Sequence, residues 1–146
     1  MSLFRTIVAA IDFSDTTAAT VQAAASLAGR AGASLTLAHV VPEARALDRW
    51  ATLLEAHQAQ RTARAADELA LLAREVQAQV PAVRTAAAQG DPERVLAAMA
   101  GETPRTLLVL GLRRGAGLLS PQPGSTAYRV LCLARTPVMV VPARLR

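Results

Sequence analysis

The sequence predicts an α/β protein, a parallel sheet covered by helices on both faces. Five apolar runs alternate with helix-like stretches in the order β-α-β-α-β-α-β-α-β. The runs are largely apolar, as strands buried on both faces are. The fourth run, Leu107-Leu108-Val109-Leu110, feeds Gly111 and a glycine-rich, arginine-bearing segment, GLRRGAGLLSPQPGS, before a new helix opens at Gly124-Ser125-Thr126. A strand, a glycine loop and a helix N-terminus form a phosphate-holding junction, because unpaired N–H groups and the positive end of the helix dipole face the anion.

The strands are expected over Thr6–Ile11, Ser34–Val41, Val83–Ala88, Thr106–Leu110 and Val138–Val141. Thr6-Ile7-Val8 and Leu35-Thr36-Leu37 carry good β-formers, whereas Val83–Ala88 is alanine-rich and the weakest of the set. Between the first two strands, Thr16–Gly29 reads as an alanine-rich helix stopped by Gly29 to Gly32. Ser14 or Asp15 is expected to cap it. Trp50–Gln79, with Leu53, Leu54, Leu69, Leu71, Leu72 and Val76 among charges, reads as one long helix or two shorter ones. Asp91-Pro92-Glu93 is a start signal, an N-cap aspartate with proline at the first helical position, for a helix reaching about Ala100. The last helix is Ser125–Ala134, ended by Thr136-Pro137. Leu112 to Pro123 is expected to be loop.

The 146 residues suit a single domain, 1–146, with a real core. No apolar run reaches membrane-spanning length, and MSLFRTIVAAID reads as a first strand and not a leader, so a cytoplasmic protein is expected. All 16 basic residues are arginine, which excludes a P-loop lysine or Schiff-base chemistry. The net charge of +5 is spread along the chain with only 3% aromatics, a pattern that argues against nucleic-acid binding. A single cysteine, Cys132, can build neither an internal disulfide nor a thiolate metal site, and reads as a half-buried helix residue.

Chemistry concentrates after the first strand and after the fourth. Asp12 would repel phosphate but could accept hydrogen bonds from sugar hydroxyls or hold a metal. His39, near the end of the second strand, reads as a packed structural residue, and His57 as a surface one. No HExxH pair, GxSxG elbow or nucleophile–base–orienter set is present, so no catalytic residues are assigned.

Five segments together resemble the universal stress protein family over essentially the whole chain. They are IVAAIDFSDTT, ASLAGRAGASLTLAHVV, QGDPERVLAAMA, TLLVLGLRRG and GSTAYRVLCLARTPVMVVP, in the family's order and spacing. The resemblance implies a three-layer sandwich with a five-stranded parallel sheet of order 3-2-1-4-5. It implies a stress-response module, in many members a homodimer paired through the last strand, here Val138, Met139, Val140 and Val141. One branch of the family binds ATP through G-x2-G-x9-G-[S/T]. By that resemblance the nucleotide-binding residues are Asp12 at the ribose and Val40 at the adenine. Gly111, Gly124, Ser125 and Thr126 lie at the phosphates, with Arg114 and Gly115 between them and magnesium accompanying the nucleotide.

The chain departs from that motif in three places. Arg114 stands where the middle glycine belongs, with Gly115 one residue late. Its guanidinium could either grasp phosphate or block the site. Pro121 and Pro123 stiffen the loop and remove two N–H donors. Thr106 replaces a common aspartate. Two readings therefore stand: an adenine-nucleotide-binding module with slow hydrolysis at most, or a dimeric interaction module of the same fold without a ligand.

Overall fold

The computed structural model describes residues 2–43, 50–112 and 125–143. Its strands are β1 (Thr6–Ala10), β2 (Ser34–Pro42), β3 (Val83–Gly90), β4 (Thr106–Leu112) and β5 (Val138–Pro142). The helices are α1 (Thr17–Ala31), α2 (Ala51–Val76), α3 (Pro92–Gly101) and α4 (Ser125–Leu133). The strands form one sheet of order β3-β2-β1-β4-β5, with every neighbouring pair parallel. This is the predicted architecture.

The two-residue period of a strand divides its side chains between two cores. Ile7 and Ala9 of β1, Leu35 and Leu37 of β2, and Leu107 and Val109 of β4 join Val21, Ala24 and Ala28 of α1 and Leu69 and Val76 of α2. The intervening Val8, Ala38, Leu108 and Leu110 join Leu96 and Ala100 of α3 and Ala127 and Val130 of α4. The sheet is therefore buried on both faces, which is why β1 and β4 read as unbroken apolar runs. β3 lies at an edge and has no fully buried residue, so Val83-Arg84-Thr85-Ala86 can be polar and alanine-rich there.

Local sequence sets the helix ends. Gly32 ends α1 in the left-handed conformation, φ 63°, and the Ala33 N–H returns to the Ala28 carbonyl at 2.9 Å. α1 thus runs to Ala31, two residues past the expected Gly29. α2 is one continuous helix, and its buried residues, Gln58, Ala65, Leu69 and Val76, recur at spacings that hold a single narrow stripe on the sheet. Asp91 occupies the N-cap position of α3 with Pro92 behind it, as predicted, but its carboxylate makes no cap hydrogen bond. It pairs with Arg94 at 3.5 Å. Cys132 is exposed on α4 and not half-buried, because Ala127 and Val130 take the inward positions of that helix.

Among the described residues no helix is long and apolar enough to cross a membrane.

Candidate functional site at the carboxyl rim

The sheet order reverses direction between β1 and β4, and in open α/β sheets a crevice opens at the carboxyl ends of such a pair. Ala10 of β1 lies opposite Leu110 of β4 and Ala38 of β2. Asp12 and Gly111 therefore lie on the same rim. α1, α3 and α4 all begin at that rim, and with parallel strands every helix N-terminus does so.

Asp12 is exposed, and its Oδ1 accepts three hydrogen bonds. The Ser14 hydroxyl donates at 2.6 Å, the Ser14 N–H at 3.0 Å, and the Thr16 hydroxyl at 3.4 Å. Phe13 stands in the left-handed region, φ 57°, and this turn folds Ser14 back onto Asp12. The expected cap by Ser14 or Asp15 is not what forms. Thr16 takes the N-cap position without a side-chain cap hydrogen bond, and the Ser14 hydroxyl serves the aspartate instead. The turn at Phe13 brings the carboxylate to the serine proton, while the serine oxygen accepts the Thr16 N–H at 3.2 Å.

The carbonyl of Ala38 accepts the Ile11 N–H at 2.7 Å, so Ala38 presents its backbone to β1. Alternate residues of a parallel strand present their backbone groups to the same side. Val40 therefore turns its N–H and carbonyl over the end of β1, toward the crevice, while its side chain sits in the α3/α4 core. His39 faces the other way. Its Nδ1–H donates to the Ile11 carbonyl at 2.5 Å, and its ring lies 4.7 Å from that of Phe13. It is a structural residue, as its lone position suggested, and it pins the chain just before Asp12.

Gly111 lies within β4, opposite Val141 of β5, and β4 runs on through Leu112, which was expected to begin the loop. A Cβ on Gly111 would stand 2.8 Å from the Thr16 Cβ, 2.8 Å from the Thr20 Oγ1, and against the Thr16 Oγ1. Both threonines are buried, and the Thr20 hydroxyl is tied to the Thr16 carbonyl at 2.8 Å. The glycine is needed because the first turn of α1 occupies its side-chain space. Thr16 and Thr20, four apart on one helix face, were not picked out by sequence reasoning; that spacing was the available signal.

α4 opens at Ser125, and Thr126 is exposed in its first turn. Arg129, one turn further on, donates to Glu93 of α3 at 3.2 Å and ties the start of α4 to the start of α3. A hydrogen bond from the Asp91 carboxyl, aided by Arg129, holds Glu93 below the usual carboxylate range, and the same contact raises Asp91. Arg114, Gly115 and Gly124 lie outside the described residues, as do Pro121 and Pro123. Thr106 is at the opposite end of β4, where its hydroxyl donates to the Thr103 carbonyl at 2.8 Å. Its difference from aspartate does not touch the rim. Among the described residues no three His, Cys, Asp or Glu side chains converge on a metal position.

The fold has many solved counterparts. A universal stress protein UspA from Lactobacillus plantarum is 26% identical, with a TM-score of 0.85 over 94% of this chain and 97% of that one. A universal stress protein solved in complex with cAMP is 21% identical, with a TM-score of 0.65 over 99% and 100%. One from Archaeoglobus fulgidus, solved in complex with dAMP, is 21% identical, with a TM-score of 0.64 over 97% and 99%. No curated protein matches the sequence. The model of the universal stress protein family matches residues 3–142, nearly the entire chain, and with the sheet order and crevice just described the chain belongs to that family.

Proposed function

We propose that this chain binds ATP or a related adenine nucleotide in the crevice between the ends of β1 and β4. The observation that carries the reading is convergence on one rim. The Asp12 carboxylate, the outward backbone of Val40 and the N-terminus of α4 at Ser125 and Thr126 surround the switch point of the sheet. In this reading Asp12 accepts from the ribose hydroxyls, and Val40 offers its amide and carbonyl to the adenine edge. The phosphates face the first turn of α4, where orphan N–H groups and the dipole favour anions. In the same reading Arg114 offers a guanidinium to the phosphates, and Gly115 and Gly124 belong to the phosphate-binding motif. The two relatives solved with adenine nucleotides support the same ligand class here. A magnesium ion would arrive with the phosphates, which share its octahedral shell with waters in such sites.

Saturating ATP should raise the melting temperature of the wild-type chain. At about 100 times its dissociation constant the ligand adds roughly 2.7 kcal/mol to stability. Asp12→Ala should weaken binding by about tenfold or more, since a hydrogen bond to a charged group is worth roughly 1.5–3 kcal/mol. An unmoved melting temperature at saturating ATP would favour the ligand-free module.

We also propose a homodimer through β5. This strand is outermost in the sheet, and Val138, Met139 and Val140 are only half-buried along it. Beside it, α4 exposes Tyr128, Leu131 and Leu133. An unpaired apolar edge is a liability, and a twofold copy of the same strand closes it without opening another. Val140→Arg should shift the protein toward monomer or aggregate it. Sedimentation of the wild type as a monomer at assay concentrations would refute the pairing.

A further inference from the structure

We infer that Ser14 is the positioning residue of the sugar contact, and that through Asp12 it makes the site selective for nucleotides bearing ribose hydroxyls. The inference rests on the nucleotide reading above and adds a specificity to it. A serine hydroxyl has one proton to donate and two lone pairs to offer, and in this loop all three are committed. The proton goes to Asp12 Oδ1 at 2.6 Å, a length typical of a charge-assisted O–H···O⁻ bond. The lone pairs take the Thr16 N–H at 3.2 Å and the Thr16 hydroxyl at 3.0 Å. Because the Ser14 proton is already spent on the carboxylate, the Thr16 hydroxyl is the donor between the two, its one proton shared between the Ser14 oxygen at 3.0 Å and Asp12 Oδ1 at 3.4 Å.

Thr16 is 2% exposed and wedged against Gly111 of β4. Ser14 therefore anchors an exposed, rotatable carboxylate to a side chain that cannot move without disturbing the packing of α1 on β4. From the other side, His39 fixes the Ile11 carbonyl just before Asp12, and Phe13 packs under its ring. The carboxylate is thus oriented before any ligand arrives. A preoriented acceptor rewards a sugar that brings hydroxyl donors and gains nothing from one that lacks them. A serine used only as a helix cap would instead leave its proton free and spend a lone pair on the amides of the first turn.

The test is a comparison of dissociation constants for magnesium ATP and magnesium 2′,3′-dideoxy-ATP on the full chain. The wild type should prefer ATP by on the order of tenfold. Ser14→Ala should reduce that preference to less than about threefold while leaving dideoxy-ATP affinity unchanged. Ser14→Thr, which keeps the hydroxyl, should retain it. If Ser14→Ala does not fold, Ser14→Cys, whose thiol is a weaker donor, should show a preference clearly below the wild type's. A Ser14→Ala protein that keeps the full preference, or loses affinity for both ligands equally, overturns the assignment. A wild type that binds the two ligands equally overturns it and leaves the nucleotide reading standing. A wild type that binds neither overturns both.

Discussion

Gly111→Ala should lower the stability of the domain by about 3 kcal/mol, at the upper end of the usual overpacking range. For a chain of this size that is a fall in melting temperature on the order of 10 °C. The cost is high because the added methyl meets the Thr16 Cβ at 2.8 Å and the Thr20 Oγ1 at 2.8 Å, both on the buried first turn of α1. Neither neighbour is the loose end of a long side chain, so the clash can be relieved only by moving α1 off β4. Gly101→Ala provides the contrast. Gly101 closes α3, nothing lies within 4 Å of an added Cβ, and alanine there should be neutral or stabilise by about 0.5–1 kcal/mol. Thermal melts of the two variants should move in opposite directions or, at the least, differ by several degrees. Equal, small shifts would mean that α1 does not sit where the glycine places it.

Leu108→Ala should cost about 2–5 kcal/mol, the loss of a buried side chain plus the cavity it leaves. Leu108 is fully buried at the middle of β4, among Val8, Ala38, Leu96 and Val130, where α3 and α4 meet the sheet. Domains of this kind hold only about 5–15 kcal/mol in total, so the variant should unfold at a much lower denaturant concentration. The slope of the transition should stay unchanged, since the surface exposed on unfolding is the same. Leu53→Ala is the surface counterpart. Leu53 is 65% exposed on α2, and its loss should change stability by less than about 0.5 kcal/mol. A Leu108→Ala midpoint within error of the wild type's would contradict the two-core description of the sheet.

These variants also mark what the chain made legible. Leu107-Leu108-Val109-Leu110 announces a central strand because burial on both faces leaves no place for a polar residue. Asp91-Pro92 announces a helix start because the signal is local, and α3 begins at Pro92. Strand ends are less legible. β4 continues through Gly111 and Leu112 because β5 supplies pairing partners, Val141 and Pro142, from far along the chain.

The same limit governs the site. Asp12 could be singled out from its place after a strand. The reason Gly111 must be glycine could not, since it is a contact with Thr16 and Thr20 some ninety residues earlier. Ser14 can give its proton to a carboxylate as well as lend its oxygen to an N–H, and only the left-handed turn at Phe13 brings Asp12 within reach of that proton. The Arg129–Glu93 pair likewise depends on α3 and α4 lying side by side, which neither helix encodes alone.

Titration calorimetry of the wild-type chain with ATP in the presence of magnesium tests the central claim most directly. Saturable binding of one nucleotide per chain is the expected result, and the same titration of Asp12→Ala should show affinity reduced by about tenfold or more. Heats no larger than dilution, from a protein that melts cooperatively, would contradict it.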